Sequence, residues 1–226
     1  MKLVLLPGLD GTGLLFADLI NHLSKGIFVE VVSFDDLEGV TYVEQAREIA
    51  DDLDDNELFI VGESYSGRLV YELCGILGKK VKGVVFLASF LSSPSLIARI
   101  ASILPLSLLK PNPISKWLLH LIGFNLKGNK GLVNAVFKSL SKANKDKLKQ
   151  RLKNIAKLNT PKNVHDLPAV YIKPSSDRLV SKQSVNTLQS VFVNCQLITL
   201  EGGHFIGQSN PAGCAEIVTR AVALTK

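Results

Sequence analysis

Residues 57–77 read ELFIV-GESYSG-RLVYELCGIL: a short apolar run, then a turn of small residues around Ser64, then an amphipathic stretch. Four consecutive apolar residues, Leu58 to Val61, suit a strand buried on both faces of a parallel sheet. Ser66 to Leu77 has the spacing of a helix. A Ser at a sharp strand-to-helix turn is exposed, and the following backbone N–H, that of Tyr65, sits at a helix start where donors lack partners. The Ser itself is held in a strained conformation, so residues two positions away must be small, and Gly62 and Ser66 meet that demand, with Gly67 adding room. An ordinary turn rich in small residues is the plain alternative, so the decision rests on what surrounds the motif.

Outward from this unit the pattern repeats. Leu3–Leu6, Ile27–Phe34, Val81–Ala88, Ala169–Lys173 and Gln196–Leu200 read as further strands, making six. Helices are expected over Leu14–Leu23, from Thr41 (with Glu44 as a capping box) to about Leu53, over Ser184–Val191, and after Asn210 with Pro211 at the first helical position. Between residues 90 and 165 the alternation stops. Apolar stripes at helical spacing replace it: Ile97, Ile100 and Leu104; Trp117 to Phe124; Leu132, Val136 and Leu140; Leu148, Leu152 and Ile155. The expected architecture is α/β, a doubly wound, mostly parallel sheet with helices on both faces: a core of residues 1–89 and 166–226, carrying a helical lid over residues 90–165. In such a sheet ligands gather at the carboxyl ends of the strands.

Three loops at those ends carry chemistry. A Ser hydroxyl needs a base and donors for the oxyanion it creates. His204, in Glu201-Gly202-Gly203-His204 after the sixth strand, has the position of the base, whereas His22, His120 and His165 lie in a helix, in the insert and ahead of a strand. Asp177, in Pro174-Ser175-Ser176-Asp177 after the fifth strand, is the acid that would orient the imidazole, and the chain order Ser, Asp, His is that of one hydrolase pattern. Asp166 precedes its strand and so lies at the wrong end, while Asp35 and Asp36 read as a turn or helix cap. The glycine-rich loop Pro7–Gly13 frees backbone N–H groups to face a developing charge. It is neither a P-loop, which would need Lys at Leu14, nor a dinucleotide fingerprint, which would need Gly at Phe16. Asp10 is read as a residue that pins this loop by local hydrogen bonds.

The set LPGLDGTG (6–13), GESYSG (62–67), PSSD (174–177) and EGGHF (201–205) resembles the α/β-hydrolases across nearly the whole chain. The resemblance implies a catalytic triad of Ser64, Asp177 and His204, with the backbone N–H groups of Leu9 and Tyr65 as oxyanion donors. Pro7 stands where many members carry His, Ser66 where Gly is usual, and the two antiparallel strands that often precede the oxyanion strand are not present ahead of it. The implied activity is that of a serine carboxylesterase without a cofactor or metal. Acyl transfer to an alcohol, a general short-acyl esterase or lipase, and a non-catalytic hydrolase-like binder are the alternatives.

Charge is unevenly placed along the chain. Net charge is +6, but between Lys127 and Lys157 ten Lys/Arg face one acid, Asp146, leaving the rest of the chain net negative. Lys145, Lys149, Arg151 and Lys153 on one helix read either as a solvated charged face or, because their charges are of one sign, as a surface for an acidic partner. Nucleic acid fits poorly because no aromatics interleave with the lysines, and a membrane surface fits poorly because Leu and Ile fill the apolar side of that helix. An acyl carrier protein fits best. The layout is similar to lidded esterases that act on pimeloyl-carrier-protein methyl ester in biotin synthesis. Three cysteines without paired spacing predict reduced thiols in the cytoplasm. The run before Pro7 is too short for a signal peptide, and Pro94, Arg99 and Pro105 interrupt the most apolar region, so no transmembrane segment is expected.

Overall fold

The apolar runs become neighbours in one sheet. The computed structural model describes residues 1–53, 57–93, 110–127 and 129–225. Its elements in chain order are β1 (Lys2–Leu6), a 3₁₀ turn (Leu14–Phe16) leading into α1 (Ala17–His22), β2 (Phe28–Val31), α2 (Tyr42–Asp52), β3 (Leu58–Glu63), α3 (Ser66–Leu77) and β4 (Val81–Leu87). There follow α4 (Pro113–Phe124), α5 (Lys130–Lys142), α6 (Lys145–Ala156), β5 (Ala169–Pro174), α7 (Lys182–Val191), β6 (Cys195–Leu200), α8 (Ile206–Ser209) and α9 (Pro211–Leu224). The strand order is β2-β1-β3-β4-β5-β6, and each adjacent pair is parallel.

Two cores explain why residues 3–6 in β1, 58–61 in β3 and 84–87 in β4 are continuously apolar. Alternate residues of a strand face opposite sides. Val4, Leu6, Leu58, Ile60, Val84, Phe86 and Tyr171 join the core packed by α2, α3 and α7. Their neighbours Leu3, Leu5, Phe59, Val61, Val85, Leu87 and Ile172 join the opposite core, packed by α1 and α9. A smaller cluster, Phe124, Val133, Val136 and Phe137 against Leu15, joins α4 and α5 to the 3₁₀ turn after β1. The caps legible in the sequence are present: Thr41 and Glu44 form a reciprocal capping box on α2, and Asn210 accepts from Gly213 N–H ahead of Pro211 in α9. Among the described residues no helix is long and apolar enough to cross a membrane.

Some boundaries differ from expectation. The helix expected over Leu14–Leu23 is divided into the 3₁₀ turn and α1. The second strand ends at Val31 instead of Phe34, because the chain then turns towards the loop after β1, with Val32 N–H on Leu5 O (3.1 Å) and Phe34 N–H on Gly11 O (2.8 Å). The stripe Ile97, Ile100 and Leu104 lies outside the described residues.

This topology positions the site. The chain passes from β1 to β2 on one side and returns to β3 on the other side of β1, which opens a crevice at the carboxyl ends of β1 and β3. The loop Pro7–Gly13 and the turn at Ser64 leave those two ends. Next to them α3 approaches the chain after β4 so closely that a Cβ on Gly67 would fall 2.6 Å from Phe90 O and 3.0 Å from Phe90 N. Backbone atoms cannot swing aside as a side chain can. Gly67→Ala is therefore expected to lower stability by about 1–3 kcal/mol, the usual cost of overpacking. Urea unfolding measures this as a reduced midpoint, and an unchanged midpoint would show that the contact is slack.

Candidate active site

Ser64 occupies the turn between β3 and α3 with φ 49, one of the few non-glycine residues here in the left-handed region. An L-residue held there is strained by Cβ contacts. The surroundings impose the turn: Ser64 N–H donates to Leu87 O at 2.9 Å, and Gly67 N–H returns to Ser64 O at 3.2 Å. Gly62 is required, since a Cβ there would meet Val70 Cγ2 at 2.5 Å and Ser66 O at 3.1 Å. Ser66, which stands where a glycine is usual, has a task of its own: its buried hydroxyl donates to Pro7 O, tying the turn to the loop after β1.

The histidine and acid loops meet this turn. Ser64 Oγ lies 2.9 Å from His204 Nε2. His204 Nδ1 lies 3.1 and 3.2 Å from Asp177 Oδ2 and Oδ1. With Asp177 ionised, Nδ1 carries the proton and Nε2 accepts from the serine hydroxyl. Asp177 also accepts from Leu179 N–H (2.8 Å) and Val180 N–H (3.0 Å). Burial works against its charge, but the imidazole and those bonds outweigh burial and hold the carboxyl below its ordinary range. For His204 burial likewise opposes the charged form, and the Asp177 carboxylate, its hydrogen bond and the charge of Glu63 prevail, raising the imidazole above its ordinary value. The histidine loop is seated on the end of α4: a Cβ on Gly203 would lie 2.4 Å from Gly123 O, and Phe205 stacks on Phe124 at 5.2 Å. Asp166 instead accepts from Asn194, and His165 packs between Tyr71 and Phe192.

Beside Ser64 runs the loop Pro7–Gly13, with Ser64 Cβ 3.8 Å from where a Cβ on Gly8 would sit. Asp10 pins it: Oδ2 accepts from Thr12 N–H (3.1 Å), Thr12 Oγ1 (2.7 Å) and Ser139 Oγ (2.7 Å). Tyr65 stands directly before α3 as its N-cap, with its ring buried and its hydroxyl donating to Gln45 Oε1 at 2.9 Å.

A cavity of about 240 Å³ opens against Ser64, His204 and Gly8, and its further walls are almost wholly apolar, from Leu15, Phe90, Ile122, Val136, Leu152 and Phe205 among others. The charged exceptions are Asp10 and Glu63. Glu63 is buried at the end of β3, directly before Ser64, with Oε1 lacking a hydrogen-bond partner. Burial first, then the charge of Asp10, pushes its carboxyl up to about 7, while Gln208 and His204 pull the other way. Among the described residues no cluster of His, Cys, Asp and Glu is placed to hold a metal ion.

The lid residues divide. Lys145, Lys149 and Lys153 are exposed on α6. Arg151 is not available to an outside partner, a correction to the grouping by charge. Its side chain is fully buried and donates from Nε to Leu9 O (2.8 Å) and from Nη2 to Asp10 O (2.9 Å), because it faces the core in step with Leu148, Leu152 and Ile155. Sequence reasoning also passed over Glu63, whose place inside the GESYSG motif was the available signal, and Ser139, for which no local signal exists. Asp35, read as a cap, accepts from Asn144 N–H at 3.0 Å, at the start of α6, and lies 3.6 Å from Arg151 Nη2.

A family model described as alpha/beta hydrolase family matches residues 3–217. No curated protein matches the chain. Among solved structures, an enol-lactonase from Burkholderia xenovorans LB400 superposes with a TM-score of 0.80 at 12% identity, over 98% of this chain and 91% of its own. An esterase from Exiguobacterium antarcticum gives 0.79 at 13%, over 100% and 91%. A lipase-esterase related protein from Clostridium acetobutylicum ATCC 824 gives 0.77 at 17%, over 97% and 93%. At these identities the likeness is one of fold.

A base that acts through Nε2 must be neutral, so any activity relying on His204 rises with pH through a midpoint above the ordinary imidazole value. The negative charge of Glu63 contributes to that elevation. Glu63→Gln removes it and is expected to move the rising limb of kcat/KM to lower pH. A limb that stays in place, or moves upward, would show that Glu63 does not act on His204.

Proposed function

Because the chain belongs to the alpha/beta hydrolase family, we propose that it is a serine carboxylesterase acting on esters of uncharged, apolar acyl groups. The observation that carries this reading is the relay from Ser64 Oγ through His204 (2.9 Å) to Asp177 (3.1 Å) at the mouth of an apolar cavity. Ser64 Oγ attacks the ester carbonyl while His204 Nε2 takes its proton. Asp177 orients the ring and stabilises the imidazolium. The oxyanion is received by the N–H groups of Leu9 and Tyr65. His204 then protonates the departing alkoxide, and a water, deprotonated by the same nitrogen, cleaves the acyl-enzyme. In this reading residues 90–165 form a lid over a core of residues 1–89 and 166–226.

The test is turnover of p-nitrophenyl esters together with labelling by a fluorophosphonate. Wild type is expected to turn over and be labelled, Ser64→Ala to do neither while keeping its unfolding midpoint, and Asp177→Asn to lose about 10⁴ in kcat. Equal turnover by Ser64→Ala would dismiss the nucleophile. Acyl transfer to an alcohol needs the same triad, and it would be favoured if added alcohols, in place of water, capture most of the acyl product. Absence of labelling in wild type would favour a binding protein.

The apolar walls support acyl selection by chain length. Each buried methylene is worth about 0.8 kcal/mol, roughly fourfold in kcat/KM, until the cavity is full. A free carboxylate at the chain end would meet Asp10 and Glu63 in a desolvated space, so monoesters of short dicarboxylic acids are expected to be poor substrates beside neutral ones of equal length. Comparable rates for both would exclude this selection.

A finer reading places the acyl group on an acidic acyl carrier protein, as in pimeloyl-carrier-protein methyl ester. Lys145, Lys149 and Lys153, four residues apart and so aligned along α6, support it. Reversing charge at Lys149 and Lys153 should slow a carrier-borne ester and spare a small ester; equal effects on both would remove the carrier.

A further inference from the structure

The buried guanidinium of Arg151 is not used by the triad, yet its two good hydrogen bonds both end on the loop that flanks Ser64. As a stabilising device it is poor. A desolvated charge repays its cost only with close partners, and here Nη1 has none and the Asp35 carboxylate stands 3.6 Å away from Nη2. What the arrangement does control is the direction of peptide groups.

The turn Gly8–Gly11 is closed by Gly11 N–H on Gly8 O at 3.1 Å. In a trans peptide the N–H points opposite to the preceding carbonyl, so holding Gly8 O fixes the direction of Leu9 N–H. The next two carbonyls, Leu9 O and Asp10 O, are gripped by the two arms of the guanidinium fork. The fit requires glycine at position 11, which has φ 72 and where a Cβ would lie 2.8 Å from Arg151 Cζ. From α5, Ser139 Oγ holds the Asp10 carboxylate at 2.7 Å. The helix carrying Arg151 is itself fastened to the core: Asn144 N–H on Asp35 Oδ2 (3.0 Å), Lys147 Nζ on Asp35 O (2.7 Å) and Asn154 Nδ2 on Val40 O (2.7 Å).

We infer that the lid helices set the oxyanion site: Arg151, assisted by Ser139, is a positioning residue that locks the Gly8–Gly11 turn so that Leu9 N–H faces the carbonyl attacked by Ser64. This rests on the esterase reading above. Without the fork, two carbonyls lose their partners and the turn rotates to find new ones. Leu9 N–H then leaves its place while Ser64, His204 and Asp177 keep theirs.

The experiment compares wild type, Arg151→Lys, Arg151→Ala and Ser139→Ala on p-nitrophenyl butyrate, with unfolding midpoints, pH profiles and inhibition by a trifluoromethyl ketone, whose hemiketal oxyanion on Ser64 needs the same donors. Loss of one oxyanion donor costs about 10²–10³ in kcat, and that loss is expected for Arg151→Ala with KM within about threefold. Arg151→Lys, which keeps the charge but not the fork, should fall at least about tenfold. Ser139→Ala should fall less but in the same pattern. Ketone affinity should drop in step with kcat/KM, the rising limb of the pH profile should stay in place, and millimolar guanidinium should restore part of the turnover of Arg151→Ala alone. Lowered midpoints with wild-type kcat in Arg151→Lys and Ser139→Ala would overturn the inference, as would losses confined to KM. Should the alanine variant not fold, the lysine and Ser139 variants decide alone. If wild type itself shows neither turnover nor fluorophosphonate labelling, the esterase reading falls and this one with it; active wild type with unaffected variants removes the positioning role only.

Discussion

Ser64 is held in a backbone conformation that costs an L-residue about 1–2 kcal/mol, and most features around it serve to hold it there. Its N–H is taken by Leu87 O on the neighbouring strand, so the turn cannot relax without breaking register with β4. Gly62 and Gly67 let helix, strand and the chain after β4 approach within distances that no Cβ could share. Ser66 extends the constraint sideways to Pro7 O, which ties the turn at Ser64 to the loop beside it. The strain sits on a strand and a helix, rigid elements whose burial in two cores far outweighs it.

Electrostatically the site is a row of buried acids around one imidazole. Asp177 is ionised because His204 and two backbone donors hold it so. Glu63 has no comparable support, and burial and Asp10 push it up to about 7. Two carboxyl groups near the same histidine thus receive opposite treatment from their surroundings. The pair differs first in contact with the imidazole, which bonds Asp177, and then in backbone hydrogen bonding. Such a division holds the Asp177 carboxyl below its ordinary range and leaves Glu63 to change state near neutrality.

The helices between β4 and β5 are more than a cover. They supply much of the apolar wall through α4, α5 and α6, and two of their polar side chains reach past that wall to the loop after β1, Arg151 to its backbone carbonyls and Ser139 to the Asp10 carboxylate. The exposed face of α6 carries its lysines outward while Arg151, two residues from Lys149 and Lys153, points inward. One helix therefore faces both the site and the solvent, and the two faces are separated by the period of the helix alone.

Strand count, the order of elements, the helical insert and the three motif loops were legible because they follow from local rules: continuous apolar runs, helical spacing, caps and glycine-rich turns. The candidate residues Ser64, Asp177 and His204 were legible for the same reason, since each sits at a strand end whose direction a parallel sheet dictates. Burial was not legible where charge and periodicity disagreed. Arg151 counts as one more cation in a basic run, and only the packing of α6 over the loop after β1 turns it inward to two carbonyls. Nor could Ser139 be found, because its partner Asp10 lies 129 residues away in the chain. The amino-acid order determined by itself which groups could take part and at which edge of the sheet they would stand; tertiary packing decided which of them face one another, because contacts between distant segments depend on how helices seat on the sheet and no local pattern encodes that.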